Sequence, residues 1–495
     1  MDLVYHSTRD TSLRYSASQA ILSGIAPDGG LFVPSFMPAF PLPLAELTSL
    51  SYQDLAHVIF KEFLTDFTEQ ELRDCIHVYD DRFDTPVIAP VVTAGNVHYL
   101  ELFHGPTIAF KDMALSILPK FMTVAANKNK SENDIVILTA TSGDTGKAAL
   151  VGFADVPHTQ IIVFYPKNGV SEIQERQMVT QKGNNVHIIA IEGNFDDAQT
   201  KVKELFADQE LRQELAAHGL QFSSANSINI GRLLPQIVYY FYAYGQFVKD
   251  GKLQLGEPMN VTVPTGNFGN ILAAYYAKEM GLPIGKLVVA SNENNVLSDF
   301  FKTGTYNRNR DFLLTTSPSM DILVSSNLER LLYHLSGNRP EVVRSHMQSL
   351  SKEGMYEVAA TMLEEAQIFH ADFATEEEVA TQIRSVKEET GYVIDPHTAV
   401  AAVVADKYQQ ETRDQSEMVI VSTASPYKFP EAVVAAIDPT HTPESLLSSL
   451  HAVKKWSHIP FPPAIKEALD DPILHETVVP VAAMKQIVRQ KLNIS

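Results

Sequence analysis

Short runs of apolar, β-branched residues alternate along the chain with longer stretches of helical period. Residues 135–139, 160–165, 186–191, 260–263, 286–290 and 418–421 are each almost wholly apolar. Runs of that length bounded by turn residues predict strands buried on both faces. Between them the period lengthens. Residues 147–154 predict the helix after the first of these strands, and residues 113–122 a helix after an apolar turn. Ser171 with Gln174 marks a capping-box helix start. Strands separated by helices predict an α/β chain built on parallel sheet covered by helices.

Three regions leave that rhythm. Residues 1–90 are rich in proline (Pro34, Pro38, Pro41, Pro43) and predict a mostly helical N-terminal module. Residues 296–385 lose the strand signal and predict a helical insertion, and residues 441–495 a helical extension. The remaining region, 91–440, carries the α/β pattern, with residues 134–225 as a smaller subdomain and the rest as a larger one. A chain of 495 residues is too long for one ordinary core, which agrees with several units.

Composition narrows the function. There are 39 basic and 59 acidic residues, a net charge of −20, and no basic run of the kind a nucleic-acid partner needs. An anionic ligand must therefore be held by a local cluster of donors. Cys75 is the single cysteine, which excludes an internal disulfide and suits a reducing compartment. Residues 1–10 lack a signal layout, and the longest apolar run, Ile237 to Tyr244, is eight residues. About 18 are needed to span a bilayer. The expectation is a cytoplasmic protein with no membrane segment, and no metal-ligand spacing is present.

Candidate chemistry starts at His104-Gly105-Pro106-Thr107-Ile108-Ala109-Phe110-Lys111-Asp112. Lys111 sits between an apolar turn and a helical pattern. Burial disfavours a charged amine, and a lysine so placed becomes a nucleophile or base able to form a Schiff base with a carbonyl compound. Two strand–loop–helix junctions add anion sites. Gly266, Asn267, Phe268, Gly269 and Asn270 precede a helix whose first N–H groups are free, the arrangement that suits phosphate. A plain β–α turn has the same form. The run Thr141-Ser142-Gly143-Asp144-Thr145-Gly146-Lys147 ends like a P-loop, but Thr141 stands where glycine belongs and Ala148 where a magnesium-binding hydroxyl belongs. What remains is a hydroxyl-rich loop suited to a carboxylate or phosphate. Asn226, Ser227, Asn229 and Arg232 gather donors before an apolar helix, and Arg232 can grip phosphate with two N–H groups. Thr423 follows the strand 418–421, at the sheet end where ligands bind in open α/β sheets.

Together these pieces resemble the fold-type II pyridoxal-phosphate enzymes, the tryptophan synthase β-like fold, and within them the threonine synthase family. The resemblance spans nearly the whole chain. It runs from Tyr5-His6-Ser7-Thr8-Arg9 and residues 26–34, through the lysine run, residues 142–146, 193–197, 226–232 and 266–269, to residues 319–330 and 395–398. It implies two open, parallel-rich sheets with helices on their faces.

By the same resemblance Lys111 carries pyridoxal 5'-phosphate as a Schiff base and moves protons. Gly266, Asn267, Phe268, Gly269 and Asn270 hold the cofactor phosphate, Thr423 faces the pyridine nitrogen, and Asp144 lies near the ring hydroxyl. Ser142, Thr145, Asn226, Ser227 and Arg232 bind substrate. The implied reaction turns O-phospho-L-homoserine and water into L-threonine and phosphate by γ-elimination and β-addition, the last step of threonine biosynthesis, in a monomer or homodimer. Ser425 stands where many relatives have His or Asp, so no role transfers to it. His104 carries no assigned role, and His397 is read as part of a helix start after Asp395-Pro396. Two alternatives share the fold: a serine/threonine dehydratase-like lyase and a non-catalytic binding protein.

Overall fold

A computed structural model describes residues 3–440 and 443–494. In chain order, β1 (Tyr5–Ser7) pairs antiparallel with β2 (Phe32–Pro34), and β3 (Val91–Ala94) with β4 (Val97–Glu101). Next come β5 (Asp134–Ala140), β6 (Thr159–Pro166), β7 (Val186–Glu192) and β8 (Leu220–Ser223). They are followed by β9 (Met259–Pro264), β10 (Ile284–Ser291), β11 (Thr305–Asn307), β12 (Met355–Glu357), β13 (Phe369–Phe373), β14 (Met418–Ser422) and β15 (Val478–Pro480). Two sheets dominate. The larger has the order β13-β10-β9-β14-β4-β3 and is parallel except for β3. The smaller, β15-β7-β6-β5-β8, is parallel throughout.

All six apolar runs are strands, each extended by one to three residues, and the α/β class holds. Successive side chains of a strand point to opposite faces, and the small sheet uses both. Ile135, Ile137, Ile161 and Val163 join one core cluster, while Val136, Leu138, Ile162 and Phe164 join another. The helix Ile230–Lys249 is buried nearly all round, as its apolar composition requires. Tyr5, Phe32, Ile59 and Phe60 from the N-terminal region share its core with Ile237, Val238 and Phe241. Among the described residues no helix is long and apolar enough to cross a membrane.

Four element readings need correction, the first being that the region 441–495 carries the strand β15, parallel to β7, as well as helices. The stretch 113–122 is not one helix but Asp112–Leu115 followed by Leu118–Lys128. Pro119 has no N–H for the carbonyl of Leu115, so the first helix cannot run on. The helix expected at 147 starts at Asp144, because Gly143 turns the chain at φ 131°. The insertion also contains strands: β11 and β12 pair with each other, and β13 forms the edge of the large sheet. Phe369-His370-Ala371-Asp372-Phe373 alternates apolar and polar residues, the pattern of a half-buried edge strand rather than of an apolar run.

Candidate active site

The loops that leave the C-terminal ends of β4, β5, β9 and β14 converge on one cavity of about 1330 Å³. This is where open α/β sheets place ligands. Lys111 caps the short helix Asp112–Leu115 at the end of the β4 loop. That loop is fastened to the one after β14 by main-chain bonds: Leu102 N–H donates to Ser422 (3.0 Å), Phe110 N–H to Thr423 (2.8 Å) and Ser425 N–H to Ile108 (3.1 Å). Ile108 is held at φ 55°, which costs a β-branched residue roughly 1–3 kcal/mol. Within the loop the Asp112 carboxylate accepts from Thr107 N–H (2.7 Å) and Oγ1 (2.6 Å). Its side chain fills the space that a Cβ on Gly105 would need.

Lys111 lies on the cavity wall, its Nζ 4.9 Å from the centre of the Phe110 ring. Burial lowers its pKa from the ordinary lysine value to about 8. Asp144 opposes that shift, and Arg232 and Lys428 add to it. The amine is thus partly unprotonated near neutral pH, as a nucleophile or proton carrier requires.

The loop after β9 forms the wall with Gly266, Asn267, Phe268, Gly269 and Asn270. A Cβ on Gly266 would lie 2.7 Å from the Ser319 carbonyl oxygen. Phe268, at φ 63°, turns the chain into the helix Gly269–Glu279. Asn270 Oδ1 accepts from the hydroxyls of Tyr239 (2.8 Å) and Tyr240, which leaves its buried Nδ2 without a protein partner. Arg232 is in the same condition. Nη1 donates to the Ala225 carbonyl (3.0 Å), Nε has no protein partner, and burial alone lowers its pKa to about 10. It remains a cation at neutral pH. Buried donors without protein acceptors are costly, so both are suited to meet an anion in the cavity.

Ser142, Thr145, Asn226, Ser227 and Thr423 also line the cavity. Thr139 Oγ1 donates to Asn226 Oδ1 (2.8 Å), which turns the Asn226 amide so that its NH₂ is the free end. Two of the sequence candidates do not reach the wall: Asn229, whose side chain is used to cap the helix Ile230–Lys249 and to bond the Ile21 and Ser224 carbonyls, and Asp144. Its carboxylate accepts from Gln174 Nε2 (2.8 Å) and Ser319 Oγ (3.2 Å) and lies 3.3 Å from Lys428 Nζ. Burial raises its pKa, but Lys428, Lys111 and Gln174 outweigh that and hold it well below the usual carboxylate range.

Two residues at the site were given no functional role from the sequence. His397 does begin a helix, Pro396–Thr412, capped by Asp395, yet its ring also lines the cavity. Its Nε2 accepts from Ser319 N–H (3.2 Å), so Nδ1 carries the proton it gives to Asp395 (2.7 Å). Lys428 is fully buried. It belongs to the segment 422–429, but only the fold reveals that its partners lie on other elements.

Known proteins share this arrangement over most of the chain. Residues 4–78 match the model for the threonine synthase N terminus, 85–424 that for pyridoxal-phosphate dependent enzymes, and 398–460 that for the threonine synthase C-terminal region. The chain belongs to the threonine synthase family of pyridoxal-phosphate dependent enzymes. Threonine synthase from Saccharomyces cerevisiae is 37% identical over 467 residues, 88% of this chain and 89% of that one. Human threonine synthase-like 1 is 40% identical over 459 residues, 90% of this chain, and the chain spans only 61% of that relative's length. The crystal structure of threonine synthase from Brucella melitensis with pyridoxal phosphate bound superposes with a TM-score of 0.86 at 35% identity, covering 99% of both chains.

Pyridoxal phosphate is the cofactor of this family, and the residues present fit it. Lys111 would supply the amine, the 266–270 loop leaves Asn270 Nδ2 without a protein partner where it could meet a phosphate oxygen, and glycine at 266 keeps the loop clear of Ser319.

Proposed function

We propose that the chain is a threonine synthase, converting O-phospho-L-homoserine and water to L-threonine and phosphate. The observation that carries this reading is Arg232, a buried cation with an unpartnered Nε on the wall of the cavity that holds Lys111. A lyase acting on serine or threonine has no phosphate for that guanidinium to meet.

In this reading the 266–270 loop holds the cofactor phosphate and Thr423 faces the pyridine nitrogen. A hydroxyl there, unlike a carboxylate, does not hold that nitrogen protonated. When bound, the cofactor supplies an electron sink for the bonds at substrate Cα. Lys111, with its lowered pKa, removes the proton from Cα and then one from Cβ. Ser142 and Thr145 orient the substrate carboxylate. Asn226, Ser227 and Arg232 grip the phosphate and stabilise its charge as it leaves Cγ, before water adds at Cβ. Asp144 serves from behind the wall, as a fixed negative charge facing Lys111. The single cysteine fits work in the cytoplasm, as a monomer or homodimer.

The test is turnover of O-phosphohomoserine by the purified protein loaded with pyridoxal phosphate. Equal release of phosphate and threonine is expected. Faster turnover of serine or threonine than of the phosphorylated substrate would overturn the reading.

A further inference from the structure

Lys428 ends the turn Pro426–Lys428 after β14, and no part of it reaches solvent or the cavity wall. A buried ammonium is costly unless its protons find acceptors. Its partners lie on three separate elements. Nζ donates to the Thr107 carbonyl (2.9 Å) in the lysine loop and to Gln177 Oε1 (2.8 Å) on the helix Glu172–Val179. It also sits 3.3 Å from Asp144 Oδ1, at the first residue of the helix Asp144–Phe153. Asp144 directly follows Ser142 and Gly143 in the substrate loop. The ammonium is therefore where the lysine loop of the large sheet meets the anion loop of the small one.

We propose that Lys428 is a positioning residue that acts through Asp144 and the Thr107 carbonyl, holding the two loops in register and balancing the charge that faces the Lys111 amine. Four charged groups face that amine: Asp112 on its own helix, Asp144, Arg232 and Lys428. Lys147 and Asp112 in turn face Lys428. Lys428 and Asp144 act on Lys111 with opposite sign, so each offsets part of the other's effect while both charges stand. Removing Lys428 alone deletes a repelling cation and frees an attracting anion, and both changes favour protonated Lys111.

The inference rests on the reading that Lys111 carries the chemistry, but its test reads the amine itself. In the cofactor-free protein, the pH midpoint of Lys111 is measured by competitive labelling with an amine reagent and mass spectrometry. Lys428→Met is expected to raise the midpoint by about one pH unit, with several-fold less labelling near pH 8. Lys428→Met with Asp144→Asn is expected to return it toward the wild-type value. Asp144→Asn alone removes the attracting anion and is expected to lower it, which keeps the test open if Lys428→Met fails to fold. A residue with only a structural role would change the melting temperature and leave the midpoints together. An unchanged midpoint in Lys428→Met and Asp144→Asn, or the same rise in Lys428→Met and the double variant, overturns the proposal. Failure to turn over O-phosphohomoserine with the midpoints moving as described would sink the proposed substrate and leave this inference standing.

Discussion

Phe110 and Thr423 are joined main chain to main chain, the N–H of one donating to the carbonyl of the other at 2.8 Å. The residue before Lys111 is thus fixed to the residue whose hydroxyl is proposed to meet the pyridine nitrogen, without using that hydroxyl. Thr423→Ala should therefore leave Lys111 in place. Borohydride reduction of the cofactor-loaded protein is expected to attach the cofactor to Lys111 in wild type and Thr423→Ala alike, and not at all in Lys111→Ala. Peptide mass spectrometry reads the adduct. Its loss in Thr423→Ala would show that the side chain, not the backbone clip, places the lysine.

Gly266 approaches the Ser319 carbonyl too closely to carry a side chain. Gly266→Ala must push apart the phosphate loop and the turn Pro318–Met320. Overpacking of this kind costs about 1–3 kcal/mol. If half of that falls on the bound state, cofactor affinity drops by roughly threefold to tenfold. Titration of the cofactor-free protein with pyridoxal phosphate, followed by fluorescence, measures the change, and an unaltered Kd would mean that the loop yields freely.

In the proposed function Arg232 serves the substrate and not the cofactor. Its hydrogen bonds to a charged group are worth about 1.5–3 kcal/mol, so Arg232→Ala should cut kcat/KM for O-phosphohomoserine by roughly 10- to 150-fold. The absorbance of the bound cofactor should stay as in wild type. Arg232→Lys should rescue little, because a point charge cannot reproduce the planar fork. A spectrum altered in Arg232→Ala would place the guanidinium against the cofactor instead.

His104 has a testable role in stability. Burial lowers its pKa, but hydrogen bonds to Asp84 (2.6 Å) and Glu101 (2.8 Å) outweigh that and raise it to about 9. A histidine raised in the folded state binds its proton more tightly there than in the unfolded chain. Its contribution is full below the unfolded value near 6.5 and disappears as pH rises through about 9. Urea midpoints of wild type should fall from pH 6.5 to 9 relative to those of His104→Gln. Parallel pH profiles for the two proteins would rule the cluster out as a source of stability.

Three of the four strands that lead into the site, β5, β9 and β14, were legible because each is a run of apolar residues with local turn signals, whereas β4 was not read as a strand. The 266–270 loop was legible because residue order places it at the end of a predicted strand, and the lysine loop because an apolar turn runs directly into a helical pattern. The functional weight of His397 and Lys428 was not. A histidine after Asp-Pro reads as a helix start, and it is one. Only the turn Pro318–Met320, packed against it from far along the chain, brings the ring to the cavity. Lys428 carries no local mark of burial, since its acceptors Thr107 and Gln177 are separated from it by most of the α/β region. The break at residues 116–117 did have a local signal, Pro119, which the apolar period outweighed.

β15 has a consequence for how the protein is made. It lies along β7, Val478 beside Ala190, and the helix Met484–Lys491 that follows tucks Met484 and Val488 under the same sheet. Arg489 locks it there through paired bonds to Glu214 (2.7 and 2.6 Å). On the ribosome, β5 to β8 emerge long before β15 exists, so the nascent small sheet must wait with the β7 edge open. An open parallel edge invites pairing with another chain. Synthesis interrupted before residue 480 should therefore yield aggregates rather than a smaller working enzyme, and the anion loop at the end of β5 gains its final support only after residues 478–491 have been made.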